Sequence, residues 1–460
     1  MGLQNKLAQY RAYRQGVQHC TFNPEGPGVV RIHLVPPKFR LFRSDAWIVI
    51  LNGYYLLPIG YAWAVLLGRF MEEVNRFDGK PISDDEAEQL TQATVRAVRG
   101  IYPTVSAGEI REDLEEILDV LFAVARGGDP DADIEKLSIR AYGKSMTAPH
   151  RMDLMVSAMT DSAGRWQCNQ KCTFCYAAGQ TMAKSEALST AEWKRIIEIL
   201  DRARVPMVTF TGGEPTLRPD IAQLVGHARR LVTRLNTNGV ALTPALVRDL
   251  KAAGLDSVQV TLYSHDEAVH NSLVGCEHFA DTVQGIRNAV AAGLDISVNT
   301  PLCRKNADYA ATLSFIHSLG VRFVTVSGLI CTGMAGINHA DYDLSEAELF
   351  DTVRAAWLRC GELDMEMDFT SPGLIAREKL EELGMHVPMC GAALSNMAIA
   401  PDGTVVPCQS WLGSDASLGN ILTEPFKTIW NHPKCAALRR MDEEAALSCP
   451  FRTGKGGGQA

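Results

Sequence analysis

The chain of 460 residues has no excess of basic charge: 45 Lys and Arg stand against 53 Asp and Glu, a formal net charge of −8. A surface founded on the phosphate backbone is therefore excluded, and no nucleic-acid partner is expected. No apolar run follows Met1, where Gln4, Asn5, Lys6 and Arg11 stand instead. No secretory signal is read there, and the expected compartment is the cytoplasm. Disorder is excluded as well, because 46% hydrophobic and 21% charged residues make an ordinary globular composition, with length for two to four domains. Trp47 to Gly68 contains no charged residue and is long enough to cross a bilayer. It is cut by the turn pair Asn52-Gly53 and by Pro58 and Gly60, so no membrane span is expected.

The most informative absence is a fourth cysteine. Cys168-Asn-Gln-Lys-Cys172-Thr-Phe-Cys175 places three thiols within eight residues. In a reducing compartment such closely spaced thiols read as ligands for an iron–sulfur cluster or zinc rather than as disulfides. Closed zinc and ferredoxin sites use four ligands, so three suggest a four-iron cluster with one iron left open. Apolar packing of the three thiols on one helix face is disfavoured by Asn169, Gln170 and Lys171.

These residues, with the aromatic Phe174 before the third cysteine, resemble the signature of the radical S-adenosylmethionine (SAM) superfamily. The resemblance implies a [4Fe-4S] cluster on Cys168, Cys172 and Cys175 whose open iron chelates the SAM methionine. About 37 residues later comes Thr211-Gly212-Gly213-Glu214-Pro215. It is similar to the superfamily loop that holds the SAM amino group, its glycines allowing close backbone approach and Glu214 supplying an acceptor. Asn236 and Asn238 after the third strand, Thr261 in the fourth, and Asn299 ending the fifth are further implied SAM contacts, with Thr300 expected to face the same cavity.

From Arg151 onward, β-rich runs alternate with amphipathic helices, the pattern of a parallel sheet. Strands are predicted at 152–159, 207–211, 233–236, 257–263, 295–300 and 323–327. Six βα units are too few for a closed eight-stranded barrel and fit the open, partial (β/α)6 TIM-like barrel that the resemblance implies, with the site at the C-terminal strand ends. The pattern departs from many relatives in two places. Tyr263 stands where an acidic residue closes the fourth strand, and His270-Asn271-Ser-Leu-Val274-Gly275 lacks the arginine that usually meets a carboxylate.

Four later cysteines, Cys390, Cys408, Cys435 and Cys449, surround an Asp402-Gly403 turn between apolar runs, a β-hairpin that brings its flanks together. This resembles the SPASM or twitch extensions that carry auxiliary iron–sulfur clusters, and Leu418-Gly-Asn420-Ile421 with Trp430 continues the likeness. The four thiols allow one auxiliary cluster, on Cys390, Cys408 and Cys449, with Cys435, His386 or a substrate completing it. The remaining cysteines, Cys20, Cys276, Cys303, Cys331 and Cys360, are dispersed and expected to be structural.

Upstream, Trp47-Ile-Val-Ile-Leu-Asn-Gly53, an apolar helix (61–75), a helix capped at Ser83 and an acidic helix (107–126) make a small α+β, winged-helix-like domain. The order of elements resembles the peptide-recognition domain of enzymes that mature ribosomally made peptides (RiPPs), where a leader adds as a strand to a sheet edge. A plain helical accessory domain is the alternative. The expected organisation is 1–135 accessory or leader-recognition domain, 150–335 barrel, 336–385 helical linker and 386–460 auxiliary-cluster domain.

The resemblance implies reductive SAM cleavage to a 5′-deoxyadenosyl radical and hydrogen abstraction. The expected substrate is a leader-bearing peptide, which would gain a crosslink, thioether or epimerised centre, and the reductant a flavodoxin- or ferredoxin-like protein. A small-molecule or folded-protein substrate, as in cofactor biosynthesis or sulfatase maturation, is the first alternative. A non-catalytic iron–sulfur carrier or sensor is the second.

Overall fold

The computed structural model describes residues 16–25, 28–37, 46–128, 137–143 and 146–449. Residues 129–136, at the end of the expected accessory domain, and the glycine-rich tail after Cys449 lie outside them. Two compact units emerge: residues 1–150 with 230–232, and the rest.

In the first unit, β1 (Gln18–Phe22), β2 (Val30–Val35), β3 (Trp47–Leu51) and β4 (Tyr55–Ile59) form an antiparallel sheet in that order. β3 and β4 are joined by the predicted turn, with both Asn52 and Gly53 at positive φ in a three-residue loop between the paired Leu51 and Tyr55. Helices α1 (Tyr61–Val74), α2 (Asp84–Ile101) and α3 (Ala107–Ala125) follow, the latter two started by capping boxes at Ser83 and Ser106. Ile32, Leu34, Phe70 and Leu114 are buried at the centre, and Phe22 meets Phe70 edge-to-face at 5.4 Å. The uncharged stretch 47–68 is thus two strands and a half-helix, and among the described residues no helix is long and apolar enough to cross a membrane. Strands β1 and β2 were not foreseen, although Val30-Arg-Ile-His-Leu-Val35 has the β-branched content and alternation of a strand.

The second unit is built on a nine-stranded sheet. β5 (Arg151–Ser157), β6 (Met207–Gly212), β7 (Val232–Thr237), β8 (Ser257–Thr261), β9 (Asp295–Pro301) and β10 (Phe323–Ser327) are the six predicted strands, within two residues at each end. Their order along the sheet is sequential, the open α/β half-barrel expected. Two strands extend its ends: β11 (Glu366–Phe369) pairs parallel with β10, and β12 (Asn396–Ile399) pairs parallel with β5. β12 and β13 (Val405–Val406) form the predicted hairpin, turned at Gly403, φ +88°. The hairpin therefore joins the barrel sheet itself.

Alternation along these strands is strict. Leu154, Phe210, Leu235, Val258, Val260, Val298 and Val324 are fully buried on the outer face, beneath the helices. Their neighbours Thr209, Arg234, Asn236, Gln259, Asn299 and Thr325 line an inner cavity. Successive strand residues point to opposite faces, which corrects one expectation: Thr300 cannot share the cavity with Asn299. Its hydroxyl instead donates to Leu262 O and accepts from Tyr309.

Candidate active site

The cavity holds about 450 Å3 and is lined in part by the loops that follow β5, β6, β7, β8 and β10. The loop after β5 brings Cys168, Cys172 and Cys175 onto its wall, and the hairpin side brings Cys390, Cys408 and Cys449.

Backbone hydrogen bonds hold the first loop from two sides. Lys171 and Thr173 amides donate to Val274 O and Leu273 O, both at 2.9 Å, at the C-terminal end of the helix Glu267–Val274, whose terminal carbonyls lack helical partners. Gly275 follows at φ +67°, and a Cβ there would stand 2.8 Å from Lys171 O. On the other side, Met334 N–H donates to Cys175 O at 3.0 Å and Asn338 Nδ2 to Thr173 O at 2.9 Å. The segment that departs from the arginine-bearing pattern is therefore the loop's clamp.

Burial pushes the Cys168 thiol up to about 12. It raises Cys172 as well, with the neighbouring sulfurs Cys175 and Cys168 adding to the effect. Burial thus disfavours the thiolate form of these cysteines unless a cation compensates it. Sulfurs around one zinc, at ~2.3 Å from it, must lie within about 4 Å of each other. Among the described residues neither cysteine set converges within 4.8 Å, so each fits a multi-iron cluster better than one ion. Cys331, His339 and Asp343 do converge, but His339 Nδ1 and Asp343 Oδ2 already meet at 2.6 Å in a hydrogen bond.

The glycine loop is organised around Glu214, only 1% exposed. Its Oε1 accepts from the Thr216 amide, the Thr216 hydroxyl and the Thr237 hydroxyl, and its Oε2 from the Asn238 amide at 2.8 Å. Burial raises its pKa and these bonds oppose the rise. Much of the carboxylate's accepting capacity is thus spent joining the ends of β6 and β7. Gly212 (φ +138°) and Gly213 are required by backbone rather than ligand: Cβ atoms there would collide with Ser157 O and, at 2.5 Å, with Ala158 O.

Asn238 Nδ2 donates to Asn169 Oδ1 at 2.6 Å, tying the β7 end to the cysteine loop. Asn236 Oδ1, Thr209 Oγ1 and Gln170 Nε2 are buried without a hydrogen-bond partner, and all three residues line the cavity. Orphaned polar groups on a cavity wall mark the place of a polar ligand.

Phe174, Gly212, Gly213, Glu214, Asn236, Asn238, Thr261 and Asn299 all line this cavity. Pro215 does not, being buried at the start of a short 3-10 turn. Cys435 also lies apart, fully buried in the helix Pro433–Arg439. Burial raises its thiol to about 11, with Arg439 acting in opposition, and it packs as a small hydrophobe. His386 is exposed and not on the wall. Sequence reading missed Arg151, Tyr176, Arg234 and Gln409, which line the cavity; of these only Tyr176 and Gln409 carried a signal, each directly following a cysteine.

Residues 167–316 match the radical SAM superfamily model, and residues 390–450 match an iron–sulfur cluster-binding domain. PqqA peptide cyclase of Xanthomonas campestris pv. campestris (strain 8004) is 28% identical over 296 residues, 62% of this chain and 77% of that protein. The Streptomyces rochei PqqA peptide cyclase is 27% identical over 304 residues, 64% and 81% of the two chains. Among solved structures, Streptococcus suis SuiB bound to S-adenosylmethionine superposes with a TM-score of 0.60 at 15% identity, covering 89% of this chain and 94% of that one. SuiB bound to precursor peptide SuiA gives 0.58, also at 15% identity, over 86% and 88%. At that identity the likeness is one of fold.

Proposed function

Because the chain carries a radical SAM domain followed by an iron–sulfur SPASM domain, we propose that it modifies a ribosomally made peptide, installing a crosslink, thioether or epimerised centre. The observation that carries this reading is the single cavity with both cysteine sets on its walls. The relatives named peptide cyclases support a peptide over a small molecule or folded protein.

Cys168, Cys172 and Cys175 would hold the SAM-binding [4Fe-4S] cluster, and Cys390, Cys408 and Cys449 an auxiliary one. When bound and reduced, cluster and SAM supply a 5′-deoxyadenosyl radical able to take hydrogen from an unactivated carbon. The protein's part is positional. The Glu214 brace fixes the ends of β6 and β7, and Asn236, Thr261 and Asn299 present polar groups to SAM. Phe174, packed edge-to-face on Tyr342 at 5.0 Å, closes one side against water. The reductant is a flavodoxin- or ferredoxin-like protein, and the setting is cytoplasmic.

Residues 1–135 serve as the leader-recognition domain, residues 336–385 as the link between barrel and extension, and residues 386–460 as the auxiliary-cluster domain. Strand addition needs an open edge. The β4 edge is blunted, since Pro58 offers no N–H and Leu56 O already accepts from Leu137 N–H. On β1 one carbonyl, His19 O, is likewise engaged, by Asn75 Nδ2, but Gln18–Phe22 contains no proline, so the leader adds to β1.

The test is anaerobic reconstitution of the full chain, reduction with SAM, and co-expression with short peptides encoded beside it. Methionine and 5′-deoxyadenosine should appear, and a crosslinked or thioether peptide should lose two hydrogens by mass. Absence of SAM cleavage from a fully iron-loaded chain would sink the reading.

A further inference from the structure

The cavity changes character with depth. Along β6 to β9 its wall is polar, with Thr211, Asn236, Gln259, Thr261 and Asn299 beside the braced Glu214. At the N-terminal strand ends it is lined by two guanidinium groups, Arg151 and Arg234. Arg151 is committed: its Nε and Nη2 reach Asp153 Oδ1 and Oδ2 at 2.9 and 3.3 Å. Arg234 is not. Its one hydrogen bond is from Nε to Ser257 Oγ at 3.4 Å, and among the described residues it makes no ion pair. Asp153, Asp295 and Asp368 act on it only from longer range, while Arg151 repels it.

A guanidinium carries five N–H donors in a planar fork suited to a carboxylate. Half-buried beside a second cation with four donors unspent, it is costly to keep unless an anion completes it. We propose that Arg234 is a carboxylate subsite, and that it receives an acidic side chain or terminal carboxylate of the peptide being modified. This rests on the peptide-modifying reading above. The SAM carboxylate shares the chemistry, but Arg234 lies four residues before Asn238, the residue tied to the cysteine loop. At about 3.3 Å per strand residue it sits ~10 Å before the end of β7 at Thr237. That depth suits a substrate side chain passing beneath SAM.

The experiment uses the reconstituted full chain under anaerobic conditions, with two probes differing only in charge: N-acetyl-glutamate α-methylamide and its glutamine analogue. Binding of each, and of SAM, is measured by equilibrium dialysis for wild type, Arg234→Gln and Arg234→Lys. The expected result is glutamate-probe affinity at least tenfold weaker in Arg234→Gln and partly kept in Arg234→Lys, with glutamine-probe and SAM affinity unchanged. A tenfold loss of SAM affinity in Arg234→Gln with the glutamate probe unaffected would move the anion to SAM and overturn the peptide assignment. Equal binding of both probes to wild type and Arg234→Gln would overturn the subsite altogether. Thermal midpoints without probe identify a variant that has failed to fold, in which case Arg234→Lys decides. None of these readouts needs turnover, so the subsite can fail while SAM cleavage and peptide modification stand.

Discussion

Tyr176 Oη donates to Gln409 Oε1 at 3.2 Å, joining two residues that directly follow Cys175 and Cys408 and lie 233 positions apart in sequence. Burial, together with the Cys175, Asp153 and Cys408 charges, raises the Tyr176 pKa, so the phenol keeps its proton. The two cysteine sets thus share a hydrogen-bonded contact across the cavity.

Removing that contact should be felt at both sets. Tyr176→Phe is expected to cost about 1 kcal/mol of stability, the worth of one hydrogen bond, and to alter the electron paramagnetic resonance spectrum of the auxiliary cluster. Spectra identical to wild type would show that the bond is incidental.

The cysteines should separate by iron content. Alanine at Cys168, Cys172 or Cys175 should abolish SAM cleavage, and alanine at Cys408 should remove about half the iron if each set holds four atoms. Cys435→Ala should retain full iron and lose only packing, by ~1 kcal/mol. An iron loss in Cys435→Ala matching that in Cys408→Ala would return Cys435 to the ligand set.

Gly275 tests the clamp on the cysteine loop. Gly275→Ala puts a Cβ at positive φ and against Lys171 O, at a cost of about 1–3 kcal/mol. The variant should load less iron on Cys168, Cys172 and Cys175 while the auxiliary spectrum is kept. Unchanged loading would argue that the Leu273 and Val274 carbonyls do not position the loop.

His270, fully buried in the same helix, gives an acid-side prediction. Its Nδ1 accepts from the Tyr263 amide, and burial, then the His278 charge, lowers its pKa from 6.5 to about 4. The unfolded chain takes up this proton below pH 6.5 and the folded one only near 4. Stability is therefore full above 6.5 and falls by up to ~1.4 kcal/mol per pH unit toward 4. Urea unfolding at pH 6.5 and 5.5 should show a steeper loss for wild type than for His270→Gln; parallel slopes would remove His270 from the account.

Hydrogen exchange locates the leader. Amides in 18–22 should gain protection when a leader peptide is added, and those in 55–59 should not. The reverse pattern would place the peptide on β4 despite Pro58.

The barrel was legible because its strands obey a rule of local physics: alternating residues with caps between them, as at Ser189 and Thr243, both of which cap through their side chains. The cysteine loop and glycine loop were legible because their spacing is local as well. Arg234 and Arg151 were not, since an arginine at a strand start looks like an ordinary solvated end until the sheet curves and turns it inward. Cys435 could not be told from Cys449 by spacing; the difference is that a helix turns Cys435 into packing. β1 and β2 were not legible because β1 pairs with β2 and β2 with β3, and neither pairing is closed by a tight turn such as Asn52-Gly53.

The strict alternation of the half-barrel separates two kinds of selection on one set of strands. Leu154, Phe210, Leu235, Val258 and Val298 answer to folding, and the residues between them answer to whatever occupies the cavity. A change from Gln259 to another polar residue, for example, alters the chamber without opening a void under a helix. Such a sheet can acquire new substrates one inner position at a time while its foundation stays untouched.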